Sequence, residues 1–170
     1  MQSSSDIWKP PPQSIFKLSF NAAIFLESNS SQFGAIIQNH KGEVMAAMSA
    51  KGLSVSSSKE AKLSACRKAM EFATAAGFSK LVVEGDNVNV MKPISSSMSD
   101  LSLQGNVVED VHQLIVDLHQ LILDLHWINI CCARRGGNRV SHVLAQHATN
   151  ISDDMYWMED APLPGMEALY

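Results

Sequence analysis

Glu84 and Asp86 stand two residues apart at the end of the apolar run Leu81-Val82-Val83. In an extended strand that spacing turns both carboxylates to one side. Lys62 carries the opposite charge in an unusual place. At about 100° per residue it shares a helix face with Ala65, Cys66, Ala69, Ala73 and Ala76, while Glu60, Arg67, Lys68 and Glu71 lie on the other. An ammonium within an apolar stripe must either reach out to solvent or find an anion. Arg134, Arg135 and Arg139 form the one tight basic group, with Asn138 among them. They suit a weak phosphate site or, equally, a solvated helix start. His142 could ligate a metal or pass protons, but a lone histidine fits better as a hydrogen-bonded residue lining a cleft.

Two further groups read as structural. His112, His119 and His126 recur every seventh residue in an Asp-x-His repeat, so successive rings lie two turns apart, about 10.5 Å along a helix, too far for two to share a metal. They are expected on a solvated or interfacial face. Cys131 and Cys132 are adjacent, cannot easily bridge, and with Cys66 give no C-x-x-C spacing. They are expected to be reduced thiols taking part in packing, in an intracellular protein, cytoplasmic or nuclear.

The elements that position these groups are legible in the pattern. Between Ile15 and Leu26, Phe16, Leu18 and Phe20 alternate with Lys17, Ser19 and Asn21, a strand's period of two. Residues 34–40 and 43–49 flank Lys41-Gly42, a tight turn in which glycine takes a positive φ. Ser57-x-x-Glu60 is a capping box and Gly77 a C-terminal cap, so a helix lies between them. Phe78 to Glu84 follows as a strand, Gly85-Asp86-Asn87 turns into another helix, and Ser95 to Ser102 is a Ser-rich loop. Gln104 to Trp127 reads as one long amphipathic helix, Ile128 to Ala133 as a last strand and Asn138 to Thr149 as a last helix. A helix between two strands implies a parallel crossover.

At 170 residues the chain amounts to one domain with short tails. Residues 1–14, rich in Ser and carrying Pro10-Pro11-Pro12, read as a flexible arm; residues 15–150 as the domain; residues 151–170 as an acidic tail. Lys and Arg number 13 against 17 Asp and Glu, a formal charge of −4. That argues against bulk phosphate binding as the main task. No apolar run approaches the length of a membrane span, and the N-terminus lacks the basic and apolar regions of a secretion signal.

The order β-β-β-α-β-α-α-β-α and several motifs resemble the plant ribonuclease H-like domains related to those of retrotransposon reverse transcriptases. The carriers are Trp8-Lys-Pro-Pro-Pro before Lys17-Leu-Ser-Phe-Asn-Ala-Ala23; Gly34-Ala-Ile-Ile-Gln-Asn-His-Lys-Gly-Glu43; Gly77-Phe-Ser-Lys-Leu-Val-Val-Glu-Gly-Asp86; and Arg135-Gly-Gly-Asn-Arg-Val-Ser-His-Val-Leu-Ala145. The resemblance implies an α/β ribonuclease H-like fold, a mixed five-stranded sheet with helices on both faces. It also implies a site of four acidic residues holding two Mg²⁺ ions that cleave the RNA strand of an RNA–DNA hybrid.

Matched residue by residue, the family's first Asp falls on Asn21, its helix Glu on Lys62, its third carboxylate on Asp86, and its fourth position, Asp or His in plant members, on His142. One carboxylate remains, and the fold would bring Lys62 nearest to it. Two hard dications need several anionic oxygens, so two-metal hydrolysis is not expected here. The expectation is a non-catalytic binding or regulatory module with no cofactor, retaining at most weak contact with an RNA–DNA hybrid or other nucleic acid through Arg134, Arg135, Asn138 and Arg139. The single basic residue between Asn87 and Asn106, Lys92, leaves no basic hybrid-binding protrusion. The alternative is a hybrid ribonuclease using Mg²⁺ or Mn²⁺ at an atypical site that recruits Glu84.

A further alternative is a protein-interaction module. Val108, Val111, Ile115, Leu118, Ile122 and Leu125 form a stripe on the long helix, with Val107, Leu114 and Leu121 widening it. Such a stripe suits a core. The segment is about one heptad longer than is usual in the family, so it could also offer a face to a protein partner or to a second copy.

Overall fold

The computed structural model describes residues 8–25, 30–52, 57–95, 109–132, 139–148 and 153–158. The chain order is β1 (Phe16–Phe25), β2 (Ser30–Gln38), β3 (Val44–Lys51), α1 (Ser58–Ala75), β4 (Lys80–Gly85), α2 (Val88–Ser95), α3 (Glu109–Leu123), β5 (Trp127–Cys132), α4 (Arg139–His147) and β6 (Met155–Met158). The strands form one sheet in the order β5-β4-β1-β2-β3-β6. β1, β2, β3 and β6 pair antiparallel, while β4 runs parallel to both β1 and β5. The parallel pair follows from α1, whose length carries the chain back along the sheet.

Local chemistry sets several boundaries. The Ser57 side chain accepts from the Glu60 N–H, closing the start of α1. Gly77, at φ +95, ends the helix, and Gly42, at φ +81, makes the β2–β3 turn. The first face of the sheet carries the larger core, in which Leu18, Phe20, Met48, Leu63, Met70, Val83, Ile115 and Leu118 are buried together. The second face carries a smaller cluster under α4: Ile36, Ala47, Val140, Leu144 and Trp157. There α4 lies directly on the sheet. A Cβ at Gly34 would sit 2.2 Å from the Ser141 carbonyl oxygen and 2.3 Å from the Ala145 nitrogen. Ser49 Oγ donates to the Leu144 carbonyl at 2.6 Å.

Among the described residues the sheet has six strands, one more than expected, because residues 155–158 of the expected tail pair with β3. Asp154 supplies the reason: its carboxylate accepts from the Lys51 N–H at 3.0 Å and from Lys68 Nζ at 2.7 Å, fixing the chain just before β6. Hydrogen bonds from Lys68 and from the Lys51 N–H outweigh the opposing effect of partial burial and hold the Asp154 carboxyl below its usual range. The expected helix to Trp127 stops at Leu123. Asp124 and Leu125 close the end with hydrogen bonds to the Leu121 and Ile122 carbonyls, and the His126 and Trp127 N–H groups turn to the Ser79 carbonyl. Trp127 then opens β5 opposite Lys80. Residues 96–108, which include the expected loop and the start of the long helix, lie outside the described residues.

Within the expected N-terminal arm, residues 1–7 lie outside the described residues, and Trp8 and Pro11 contact the fold while Lys9, Pro10, Pro12, Gln13 and Ser14 are exposed. Pro11 is buried. The Trp8 ring lies against Gly42 and, with its centroid 5.1 Å from the Lys17 ammonium, forms a cation–π contact.

Candidate functional site

The carboxyl end of β4 lies beside the middle of β1, with α1 on one face of the sheet and α4 on the other. Four chemically capable side chains converge there from separate elements. Asn21 comes from β1, Asp86 from the first residue after β4, Lys62 from the second turn of α1, and His142 from α4. Asn21, Lys62 and Asp86 line a small concavity with Phe20, Gly85, Asn87, Val90 and Met91, and it leaves no room for a water-sized sphere. A Cβ at Gly85 would sit 2.7 Å from the Met91 sulfur and 2.8 Å from the Phe20 ring, so a side chain there would require both to shift.

Lys62 Nζ stands 3.9 Å from Asp86 Oδ1, with the two side chains 20% and 10% exposed. That is an ion-pair distance, longer than a direct hydrogen bond. Asn21 is 6% exposed, and its amide orientation is set locally: Oδ1 accepts from the Ala22 N–H at 2.8 Å, which turns Nδ2 toward His142 Nδ1 at 3.3 Å. The amide nitrogen donates, so His142 Nδ1 accepts and its ring proton sits on Nε2. The one Asn21 atom able to ligate a hard cation is thus already hydrogen-bonded to the backbone.

Glu84 is also engaged. Its Oε2 lies 2.8 Å from Lys17 Nζ, the two side chains being 9% and 4% exposed, and it accepts from the Cys131 thiol at 3.6 Å. Lys17 additionally donates to the Lys9 carbonyl beneath Trp8. Burial, reinforced by the Glu84 charge, pushes the Cys131 thiol up to about 11. Cys132 is raised by burial and then by the charges of Asp86 and Glu84. The idea that Glu84 joins Asp86 as a metal ligand therefore fails, because a buried ammonium already neutralises it. Among the described residues no group of three or more His, Cys, Asp or Glu is placed to hold a metal ion. One ion-paired carboxylate and a neutral amide oxygen already accepting from the Ala22 N–H do not fit a pair of hard dications.

Arg139 opens α4 and is exposed; Arg134, Arg135 and Asn138 lie outside the described residues. The proposed interaction stripe is largely consumed by the protein's own core. Ile115 and Leu118 are fully buried, and Ile122 and Leu125 are part-buried against the same cluster. Val111 lies within α3, and Val108 lies outside the described residues. Of the three spaced histidines, His112 and His126 are exposed, whereas His119 Nε2 meets the Pro93 carbonyl at 3.1 Å. Cys66 is fully buried, and burial raises its thiol pKa strongly.

Sequence reasoning missed the Lys17–Glu84 pair because strand alternation marks Lys17 as a solvent-facing residue. The available signal was the parallel pairing itself: Ser19 lies opposite Glu84, which places Lys17 diagonally beside Glu84 on the same face.

A family profile described as reverse transcriptase-like matches residues 19–148. Several solved structures share the fold. RNase H1 from the halophilic archaeon Halobacterium salinarum superposes with a TM-score of 0.69 at 19% identity, covering 81% of this chain and 98% of its own. The N-terminal RNase H domain of a Mycobacterium tuberculosis protein gives 0.66 at 16% identity, covering 80% and 94%. LC11-RNase H1, isolated from compost by a metagenomic approach and solved in complex with an RNA/DNA hybrid, gives 0.61 at 13% identity, covering 80% and 96%. No curated protein matches the sequence significantly.

Proposed function

The chain belongs to the reverse transcriptase-like family, and on that premise we propose that it is a ribonuclease H-like module that engages nucleic acid without cleaving it. The carrying observation is Lys62 Nζ at 3.9 Å from Asp86 Oδ1, a cation where two-metal hydrolysis needs another carboxylate. Hydrolysis of a phosphodiester by that route requires anionic oxygens to gather both ions and a bound water to be activated between them. Here Asp86 is offset by Lys62, Glu84 by Lys17, and the Asn21 oxygen by the Ala22 N–H. The scaffold keeps the cleft, and its polar groups become a binding surface.

Nucleic acid is the favoured ligand class because solved relatives of the same fold include one bound to an RNA/DNA hybrid and because His142 and Arg139 lie one turn apart on α4, beside the cleft. The test is a labelled RNA–DNA hybrid incubated with the protein in Mg²⁺ or Mn²⁺. The expected result is an intact hybrid; metal-dependent cleavage that disappears in Asp86→Ala overturns the reading.

A further inference from the structure

We propose that Lys62 replaces the metal as the phosphate contact of this cleft, so that the chain engages a phosphodiester backbone directly and without any divalent ion. This inference rests on the nucleic-acid reading above and specifies how that binding works.

Lys62 projects from a helix face whose neighbours Ala61, Leu63, Ala65 and Cys66 are fully buried, which limits where its ammonium can go. That ammonium has three donors, and among the described residues its one charged neighbour is Asp86, beyond hydrogen-bond distance at 3.9 Å. Donor capacity is therefore left at the mouth of the concavity. A further donor lies on α4. The buried Asn21 Nδ2 is engaged with His142 Nδ1, which leaves the exposed His142 ring presenting an Nε2 proton. Arg139 is exposed on the same side of α4, three residues before His142.

A cleft edge that offers an ammonium from α1, with an imidazole N–H and a guanidinium from α4, against a single carboxylate is complementary to an anion rich in acceptor oxygens. A phosphodiester meets that description, and the Lys62 ammonium can bridge it to Asp86 as one cation between two anions. The concavity itself is filled, so the contact forms at its rim. The chain's formal charge of −4 keeps the overall affinity modest and makes each remaining basic contact count.

The experiment measures binding of a fluorescent RNA–DNA hybrid by anisotropy, in EDTA and in Mg²⁺, across a salt series. Wild-type protein is expected to bind equally in both buffers. Lys62→Gln should weaken binding roughly tenfold near 0.1 M salt and reduce the salt slope by about 1, while Lys62→Arg restores both. Asp86→Asn, which releases the ammonium, should tighten binding in EDTA, and this variant keeps the test valid should Lys62→Gln fail to fold. Binding by wild type that requires Mg²⁺, or Lys62→Gln with unchanged affinity and slope, overturns the inference and leaves the nucleic-acid reading standing. Absence of wild-type binding in either buffer overturns that reading, and the inference with it.

Discussion

Lys17 and Glu84 meet at 2.8 Å on the second face of the sheet, under the Trp8 ring and beside the Cys131 thiol, with both side chains almost wholly withdrawn from solvent. The pair joins β1 to β4 just below the candidate site. A buried pair of this kind contributes little net stability relative to apolar residues, yet losing one member strands a charge. Lys17→Met is therefore expected to destabilise the fold by about 3 kcal/mol or more. Lys17→Met combined with Glu84→Leu should recover most of that loss. Urea unfolding of the two variants checks this; equal destabilisation of single and double variants would show that packing, and not charge, dominates.

The Lys62–Asp86 pair makes a prediction about metal and stability. A cluster of carboxylates repels itself until a cation arrives, and the cation then stabilises the fold by mass action. Here the cation is part of α1. Added Mg²⁺ should leave the melting temperature of the wild-type protein unchanged. The variant carrying both Lys62→Glu and Asn21→Asp should melt lower in EDTA and recover as Mg²⁺ is added, by about 2.7 kcal/mol when the ion reaches a hundredfold its dissociation constant. Thermal scans in paired buffers decide the point.

Asp154 holds β6 to the rest of the sheet, and its carboxyl lies below the usual range through its bonds to Lys68 and the Lys51 N–H. A carboxyl whose folded-state pKa is lowered stabilises the fold above its unfolded pKa and loses that contribution as pH falls through the folded one. Asp154→Ala should thus cost about 1 kcal/mol at neutral pH, since the pair is about one-third exposed. The difference from wild type should shrink from about pH 4 downward. A cost that stays constant into strong acid would remove the carboxylate from the explanation.

The three thiols should react in a fixed order. Cys132 is exposed, Cys131 is half-buried with its pKa raised to about 11, and Cys66 is fully buried. At neutral pH an alkylating reagent should modify Cys132 first and Cys131 slowly, reaching Cys66 only on unfolding. Glu84→Gln should speed modification of Cys131, because the Glu84 charge and its hydrogen bond both disfavour the thiolate. Mass spectrometry of timed samples gives the order directly.

Much of the fold was legible because its signals are local. Ser57 with Glu60, Gly77 and Gly42 each act through their own backbone neighbourhood, and each sits where its chemistry placed it. The elements that were missed depend on distant partners. β6 is four residues long and owes its place to Asp154 meeting Lys51 and Lys68. The end of α3 is set by Ser79, whose carbonyl takes the N–H groups that a continuing helix would have used. The apolar stripe of α3 shows the limit of periodicity, since spacing alone marks a buried face without saying whose core buries it. Within the candidate site, residue types showed that carboxylates were few. The meeting of the Asn21 amide with His142 and the engagement of Glu84 by Lys17 were not legible, because both follow from contacts between distant segments.

The close approach of α4 to Gly34 governs how this cleft can respond to whatever enters it. Where backbone rests on backbone, with Ser49 tying the Leu144 carbonyl from below, there is no side chain to change rotamer and let the helix slide. His142 and Arg139 are carried on a helix seated on β1, β2 and β3. A ligand therefore meets a helix backbone already in position, and little backbone ordering entropy is spent in holding it. Variation among related chains at this wall should accordingly tune binding through charge, with the width of the cleft left constant.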